Sequence, residues 1–67
     1  MNLWIRQMFD SAIARRGGVV RWKLTSIDQY ASSSEVQNEC RTRGFHIVEH
    51  GDQWLIFCDT AQVKIVL

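Results

Sequence analysis

Residues 44–58 read GFHIVEHGDQWLIFC, and this stretch decides the fold of the C-terminal half. On both sides of Gly51-Asp52 the chain is rich in β-branched and aromatic side chains, which favour strands. A glycine at the first central position of a two-residue loop suits a type II′ turn, which joins antiparallel strands tightly. The stretch therefore predicts a β-hairpin with Ile47 and Ile56 buried.

A helix is predicted directly before the hairpin. The run Ser32-Ser33-Ser34-Glu35 matches a capping box, in which a serine hydroxyl and a glutamate satisfy free amides of the first helical turn. The helix should continue to Arg43, and Gly44 can end it in a left-handed conformation. Its apolar face is thin, essentially Val36 and Cys40, so it needs packing from the rest of the domain.

Beyond the hairpin, the segment QVKIVL at 62–67 alternates in the manner of a half-buried strand. A turn around 59–61 would lead into it. A strand there would extend the hairpin into a three-stranded antiparallel meander.

The N-terminal segment 3–16 has the periodicity of an amphipathic helix. Asn2 can cap its start, and Gly17-Gly18 can end it. Its apolar residues recur at spacings that place them on one continuous face, namely Trp4, Ile5, Met8, Phe9, Ala12 and Ile13.

Residues 19–24 (VVRWKL) alternate next and predict a strand. Val20, Trp22 and Leu24 should face the core, while the residues between them face outward. The segment that follows, 25–31, is irregular, with Ile27 and Tyr30 as anchors to the core.

The elements therefore follow the order α-β-α-β-β-β and predict a small α+β protein in which residues 1–67 form a single domain. The expected architecture is an antiparallel C-terminal β-meander with helices packed on one face. The sequence leaves open where the strand at 19–24 joins the sheet.

No catalytic residue, metal ligand or cofactor is predicted in the hairpin. His46 and His50 are four residues apart on one strand, about 13 Å, whereas zinc needs both nitrogens at about 2.0–2.1 Å from one ion. A two-residue loop would place His46 and Cys58 on opposite faces of the hairpin. A three-residue loop would make them diagonal neighbours about 7–8 Å apart, which is long for a thiol–imidazole pair.

Composition and charge set further limits. The chain has 67 residues, 46% of them apolar, and no segment resembles a secretory signal or a membrane span. Two cysteines are too few for a disulfide scaffold, so reduced thiols and a cytoplasmic location are expected. Residues 1–24 carry five basic and one acidic side chain, a net charge of +4, whereas residues 25–67 carry three basic and six acidic, a net charge of −3.

From Ser33 onward, the run SEVQNECRTRGFHIVEHGDQWLIF resembles HicA-type toxins. These proteins begin with a short helix ending in a Gly-aromatic step, continue into a β-meander of a double-stranded-RNA-binding-like fold, and cleave mRNA. The resemblance implies a helix lying on a three-stranded antiparallel sheet. The family's catalytic histidine follows the hairpin glycine, where this chain has Asp52, Gln53 and Trp54, so the resemblance does not carry nuclease activity over.

Two functions are compatible with these patterns. The first is a non-enzymatic protein-interaction or homo-oligomerisation module, with Trp4, Met8 and Phe9 at the interface, because small domains often need such burial. The alternative is a nucleic-acid-binding module that uses a basic patch, since arginine suits phosphate oxygens. The residues of that patch are Arg15, Arg16, Arg21 and Lys23. A membrane-surface role is not expected, because core burial explains the periodicity of the first helix.

Overall fold

The computed structural model describes residues 2–67, which contain four helices and three strands. In chain order these are α1 (Leu3–Asp10), α2 (Ala12–Arg15), β1 (Val19–Lys23), α3 (Leu24–Tyr30), α4 (Ser33–Arg43), β2 (His46–His50) and β3 (Gln53–Phe57). The α+β class is confirmed. The order of the elements differs from the prediction in three places, each of which has a physical reason.

The hairpin forms as predicted, with His46 opposite Phe57 and Ile47 opposite Ile56. Gly51 has φ +61°, and no residue other than glycine has a positive φ within 2–67. A positive φ at the first loop position followed by a negative one agrees with a type II′ turn. Ile56 is fully buried, and Ile47 is partly buried against the core.

The third strand of the sheet is β1, and the predicted meander was wrong. The sheet has the order β1-β3-β2, and residues 62–67 have no regular structure. A strand has only two edges, and β3 uses one for β2 and the other for β1. A strand that followed β3 directly would have needed the edge that β1 occupies.

The predicted helix at 3–16 is two helices, because Ser11 interrupts it. Ser11 has an extended backbone (φ −62°, ψ 154°), and its hydroxyl accepts a hydrogen bond from the Ala14 amide at 3.3 Å. Serine side chains compete in this way with helical hydrogen bonds and favour caps. The break rotates α2 relative to α1, so Ala14 is buried while Ala12 and Ile13 are exposed.

Residues 24–30 form α3, although their sequence predicts no helix. Lys23 precedes the helix without a side-chain cap, so the usual start signal is missing. Ile27 is completely buried, and the Leu24 amide donates to the Asp52 carbonyl at 2.8 Å. Tertiary contacts therefore stabilise a helix that lacks local signals.

Helix α4 forms as predicted between its two caps. The Ser32 hydroxyl accepts from the Glu35 amide at 3.2 Å and contacts the Glu35 carboxylate at 3.1 Å. Gly44 has φ +76°, the left-handed conformation that ends many helices. Val36 and Cys40 are buried, as expected from its thin apolar face.

All four helices pack against one face of the sheet. The inner face carries Val20, Ile47 and Ile56 in one row and Trp22 and Trp54 in the next. These residues share one core with the helices, to which the helices contribute Ile5, Met8, Phe9, Ala14, Ile27, Val36 and Cys40. The opposite face of the sheet contributes no residue to this core.

Candidate interaction surface

The outer face of the sheet is free of acidic side chains. Because side chains alternate along a strand, the residues between the inner ones point to this face. They are Val19, Arg21 and Lys23 on β1, Gln53, Leu55 and Phe57 on β3, and His46, Val48 and His50 on β2. The face therefore combines partly exposed apolar side chains with basic side chains and histidines.

One edge of the sheet, that of β1, has free backbone groups. At the ends of the β1–β3 ladder, the Cys58 amide donates to the Gly18 carbonyl at 3.0 Å and the Leu24 amide donates to the Asp52 carbonyl at 2.8 Å. Hydrogen-bonded pairs alternate in an antiparallel ladder. The N–H and C=O groups of Val19 and Arg21 must therefore point away from β3, toward solvent.

An apolar groove of about 490 Å³ runs along this edge, between β1 and the first two helices. Trp4 packs edge-on against Trp22, with ring centroids 5.0 Å apart, and stacks on Tyr30 at 5.7 Å. These contacts fix the aromatic wall of the groove. The apolar lining residues are Trp4, Met8, Ile13, Val19, Val20 and Trp22, with Gln7, Ser11 and Arg21 as polar neighbours.

The predicted interface residues lie in different places. Phe9 is only 3% exposed and belongs to the core of the chain itself, so the expectation that it faces a partner does not fit its position, whereas Met8, 4% exposed, belongs to the core and also lines the groove. The physical reason is that α1 lies across the inner face of the sheet, where both side chains are needed to close the core. Trp4 remains partly exposed at the groove.

Sequence reasoning missed two apolar surface residues at the same groove. Ile13 is 44% exposed and Val19 is 40% exposed. The alternation in 19–24 does place Val19 outward, so that signal was available. The periodicity of 3–16 predicts that Ile13 lies on the buried helix face, because only the extended backbone at Ser11 reveals the break in the helix.

The four predicted basic residues are all exposed but lie on two elements. Arg21 and Lys23 share the outer face of β1, and Arg15 and Arg16 lie at the end of the short helix α2 and just after it. The outer face also places His46 and His50 two strands away, about 10 Å from β1. The basic character of the outer face therefore rests on Arg21 and Lys23.

The hairpin register separates the two groups of a possible cysteine–histidine pair. His46 points to the outer face, whereas Cys58 is buried on the inner side and its thiol contacts the Ile56 carbonyl at 3.6 Å. Burial raises the pKa of Cys40 to about 12, and the neighbouring Cys58 and Glu39 add to this effect. Burial also raises the pKa of Cys58, against the opposing charge of Arg43. Because the thiolate is the nucleophilic form, neither buried thiol is activated.

Within residues 2–67 no group of three or more histidine, cysteine, aspartate or glutamate side chains is arranged to hold a metal ion. Across the same residues no helix has the length and apolar character needed to cross a membrane.

Comparisons with known proteins supply no function for these surfaces. No protein-family model matches the chain, and searches of curated proteins and of solved structures find no match.

Proposed function

We propose that the domain is a non-enzymatic protein-interaction module that binds an extended apolar segment along the free edge of β1. The observation that carries this proposal is the juxtaposition of the unpaired backbone groups of Val19 and Arg21 with the apolar groove beside them. In recognition by strand addition, backbone hydrogen bonds supply affinity and side-chain pockets supply specificity. Both parts are present at this edge.

The aromatic wall gives the groove a defined shape. Trp4 is held between Trp22 and Tyr30, so its ring does not have to become ordered when a ligand binds. Preorganised contact residues lower the entropic cost of association. A bound segment would place every second side chain into the groove, against Trp4, Ile13 and Trp22.

The proposal is tested by titrating the protein with an extended peptide of alternating valine and threonine, followed by NMR amide shifts. We expect shifts confined to β1 and the groove. The variant Arg21→Pro should lose them, because it removes an N–H that faces the free edge while leaving the β1–β3 ladder intact. A peptide of the same composition interrupted by proline serves as the negative control. Absence of shifts at millimolar peptide, in a sample in which the protein is monomeric, would refute the proposal.

A second candidate function, nucleic-acid binding, is favoured by one observation, the acid-free outer face. Arg21 and Lys23 can contact phosphates, and Phe57 lies partly exposed on the same face, where a base can stack. The resemblance to HicA-type toxins favours the same class of ligand. This candidate ranks second because the outer face presents a single aromatic ring and two permanent cations.

The salt dependence of nucleic-acid affinity distinguishes binding through all four basic residues from binding through two of them. Four phosphate contacts, from Arg15, Arg16, Arg21 and Lys23, would give a log–log slope of about −3.6 on duplex DNA, and two contacts about −1.8. The double variant Arg21→Glu/Lys23→Glu should abolish binding, whereas Arg15→Glu/Arg16→Glu should leave the two-contact slope. No salt-dependent binding of DNA or RNA at micromolar protein would remove this candidate.

A further inference from the structure

We propose that the apolar segment bound by β1 is residues 62–67 of a second copy of this chain, which adds to the sheet as a fourth, antiparallel strand. This inference rests on the proposed function, because it names the occupant of the same edge and groove. It makes the domain a reciprocal dimer, in which each copy donates its segment to the other.

Residues 62–67 have the sequence pattern of a strand but pair with no strand of their own chain. Its sequence QVKIVL has four β-branched or leucine side chains in six residues, yet it has no regular structure in the single chain. Ile65 is 76% exposed and Val66 is 91% exposed. Contiguous exposed apolar side chains of this kind mark interaction sites.

The segment cannot pair antiparallel with β1 of its own chain over the full strand. Cys58 is fixed beside Gly18, at the start of β1, and Asp59 lies next to Gly17. To run antiparallel along the whole of β1, the segment would have to begin near Lys23, about 19 Å away, since that point lies five residues along β1 and two strand spacings across. A start beside Arg21 lies about 14 Å away, and the straight line to it runs through β1 itself, so the chain would have to take a longer path around the strand.

The linker is too short for that path. Four residues lead from Cys58 to position 62, and they span at most about 14 Å when fully extended. Both edges of β3 are already occupied, so the segment cannot pair with β3 either. A second copy has neither constraint, because its segment can approach β1 from the Lys23 end.

Charge selects the register of the added strand. Lys64 lies between Val63 and Ile65, and Leu67 continues the same alternation. If these apolar side chains enter the groove, Lys64 points toward the outer face. Directly opposite like charges are destabilising, which excludes Lys64 beside Arg21 or Lys23.

The register that remains places Lys64 opposite Val19 and Gln62 opposite Arg21. In this register the free backbone groups of β1 pair with those of Gln62 and Lys64, and Val63 lies beside Val20 at the groove. Two such exchanges related by a two-fold axis make a closed dimer with self-complementary contacts.

The experiment is analytical ultracentrifugation of the wild-type protein and three variants over a range of concentrations. The wild type should form dimers, and Ile65→Ser and Arg21→Pro should each weaken dimerisation by about tenfold or more, through lost apolar burial and a lost backbone hydrogen bond. The matched control is Val66→Ser, which removes a similarly exposed side chain from the other face of the strand and should change dimerisation much less.

Two results would overturn the proposal. A wild-type protein that is monomeric at high micromolar concentration has no such dimer. Equal weakening by Ile65→Ser and Val66→Ser would indicate unspecific association of the exposed segment. If Arg21→Pro does not fold, the Ile65→Ser variant still tests the proposal. The Ile65 side chain is 76% exposed, so it contributes nothing to the core.

A complementation test identifies the occupant. A copy with Arg21→Pro keeps its segment, and a copy with Ile65→Ser keeps its edge, so the mixture should form a heterodimer through one intact exchange. Nuclear Overhauser contacts between Lys64 of one copy and isotopically labelled Val19 of the other should then appear. Their absence in a mixture that does associate would overturn the register.

The alternating valine–threonine peptide separates this inference from the proposed function. If the Ile65→Ser protein binds that peptide at β1 but the wild type is monomeric, the interaction module stands and the second-copy assignment is wrong. If the peptide does not bind and the wild type does not dimerise, both are wrong.

Discussion

Truncation of Phe9 tests whether the core is closed by the first helix, as the structure shows. Phe9 is 3% exposed, and its ring centroid lies 5.8 Å from that of Phe45. The guanidinium of Arg43 lies over the same Phe9 ring, 4.7 Å from its centroid. Phe9→Ala therefore removes a packed aromatic side chain and leaves a cavity between α1 and the end of α4.

The magnitude follows from these contacts. A buried Phe→Ala change costs about 3–5 kcal/mol through lost transfer free energy and the cavity. The aromatic pair and the cation–π contact each contribute about 0.5–1 kcal/mol of such an effect, which places this site near the middle of the range, at about 4 kcal/mol. At about 0.05–0.15 kcal/mol per residue, a domain of this length has only about 3–10 kcal/mol of stability in total.

The assay is urea unfolding followed by tryptophan fluorescence. With a denaturant slope of about 1 kcal/mol per molar for so small a domain, the midpoint should fall by about 3–5 M, or folding should be lost altogether. Phe9→Leu keeps an apolar side chain in the cavity and should cost much less. Leu3→Ala, on the same helix but 66% exposed, should stay within about 0.5 kcal/mol of the wild type.

An alanine variant whose unfolding free energy lies within about 1 kcal/mol of the wild type would show that α1 does not close the core in solution. An equal loss of stability in Phe9→Ala and Leu3→Ala would support the same conclusion, because Phe9 is buried whereas Leu3 is exposed on the same helix.

Three further changes probe other parts of the fold. Ser32→Ala should cost about 0.5–2 kcal/mol in urea unfolding, because it removes the cap of α4, and a neutral result would contradict the capping role. Gly44→Ala should cost about 1–2 kcal/mol, since φ is +76° there; Gly51→Ala, at a similar φ but with open space around it, measures the backbone strain alone. Stability should fall as pH rises from 9 toward 12, because the unfolded chain releases the Cys40 proton near its ordinary pKa of 9.0 while the folded chain holds it to about 12. By pH 11 this loss is about 2–3 kcal/mol, and a Cys40→Ala variant with the same pH dependence would contradict it.

Local interactions determined a large part of this protein. Gly51-Asp52 predicts the hairpin, whereas the choice between a two-residue and a three-residue loop, and with it the faces of His46 and Cys58, came from the observed register. The caps of α4 are also local, because Ser32 and Gly44 satisfy the ends of the helix with neighbouring groups. These features need no information from distant parts of the chain.

The tertiary structure alone decided which strand completes the sheet. Residues 19–24 and 62–67 carry similar alternating patterns, and β3 has only one edge left beside β2. Strand β1 occupies that edge. Its Trp22 side chain packs on Trp4 and so links the strand to the first helix. The segment at 62–67 has no aromatic side chain that could make such a contact.

The candidate site depends on which segment pairs with that edge of β3. Once β1 lies at an edge, Val19 and Arg21 present free backbone groups, and the break at Ser11 turns Ile13 toward the groove beside them. The hairpin, the capped helix and the outward alternation of β1 could all be predicted from the chain alone, because each depends on residues a few positions apart. Residues 19–24 and 62–67 have similar patterns, and only one of them can pair with the remaining edge of β3. Contacts between distant residues select 19–24. That selection creates the free edge, the groove and the unpaired segment at 62–67.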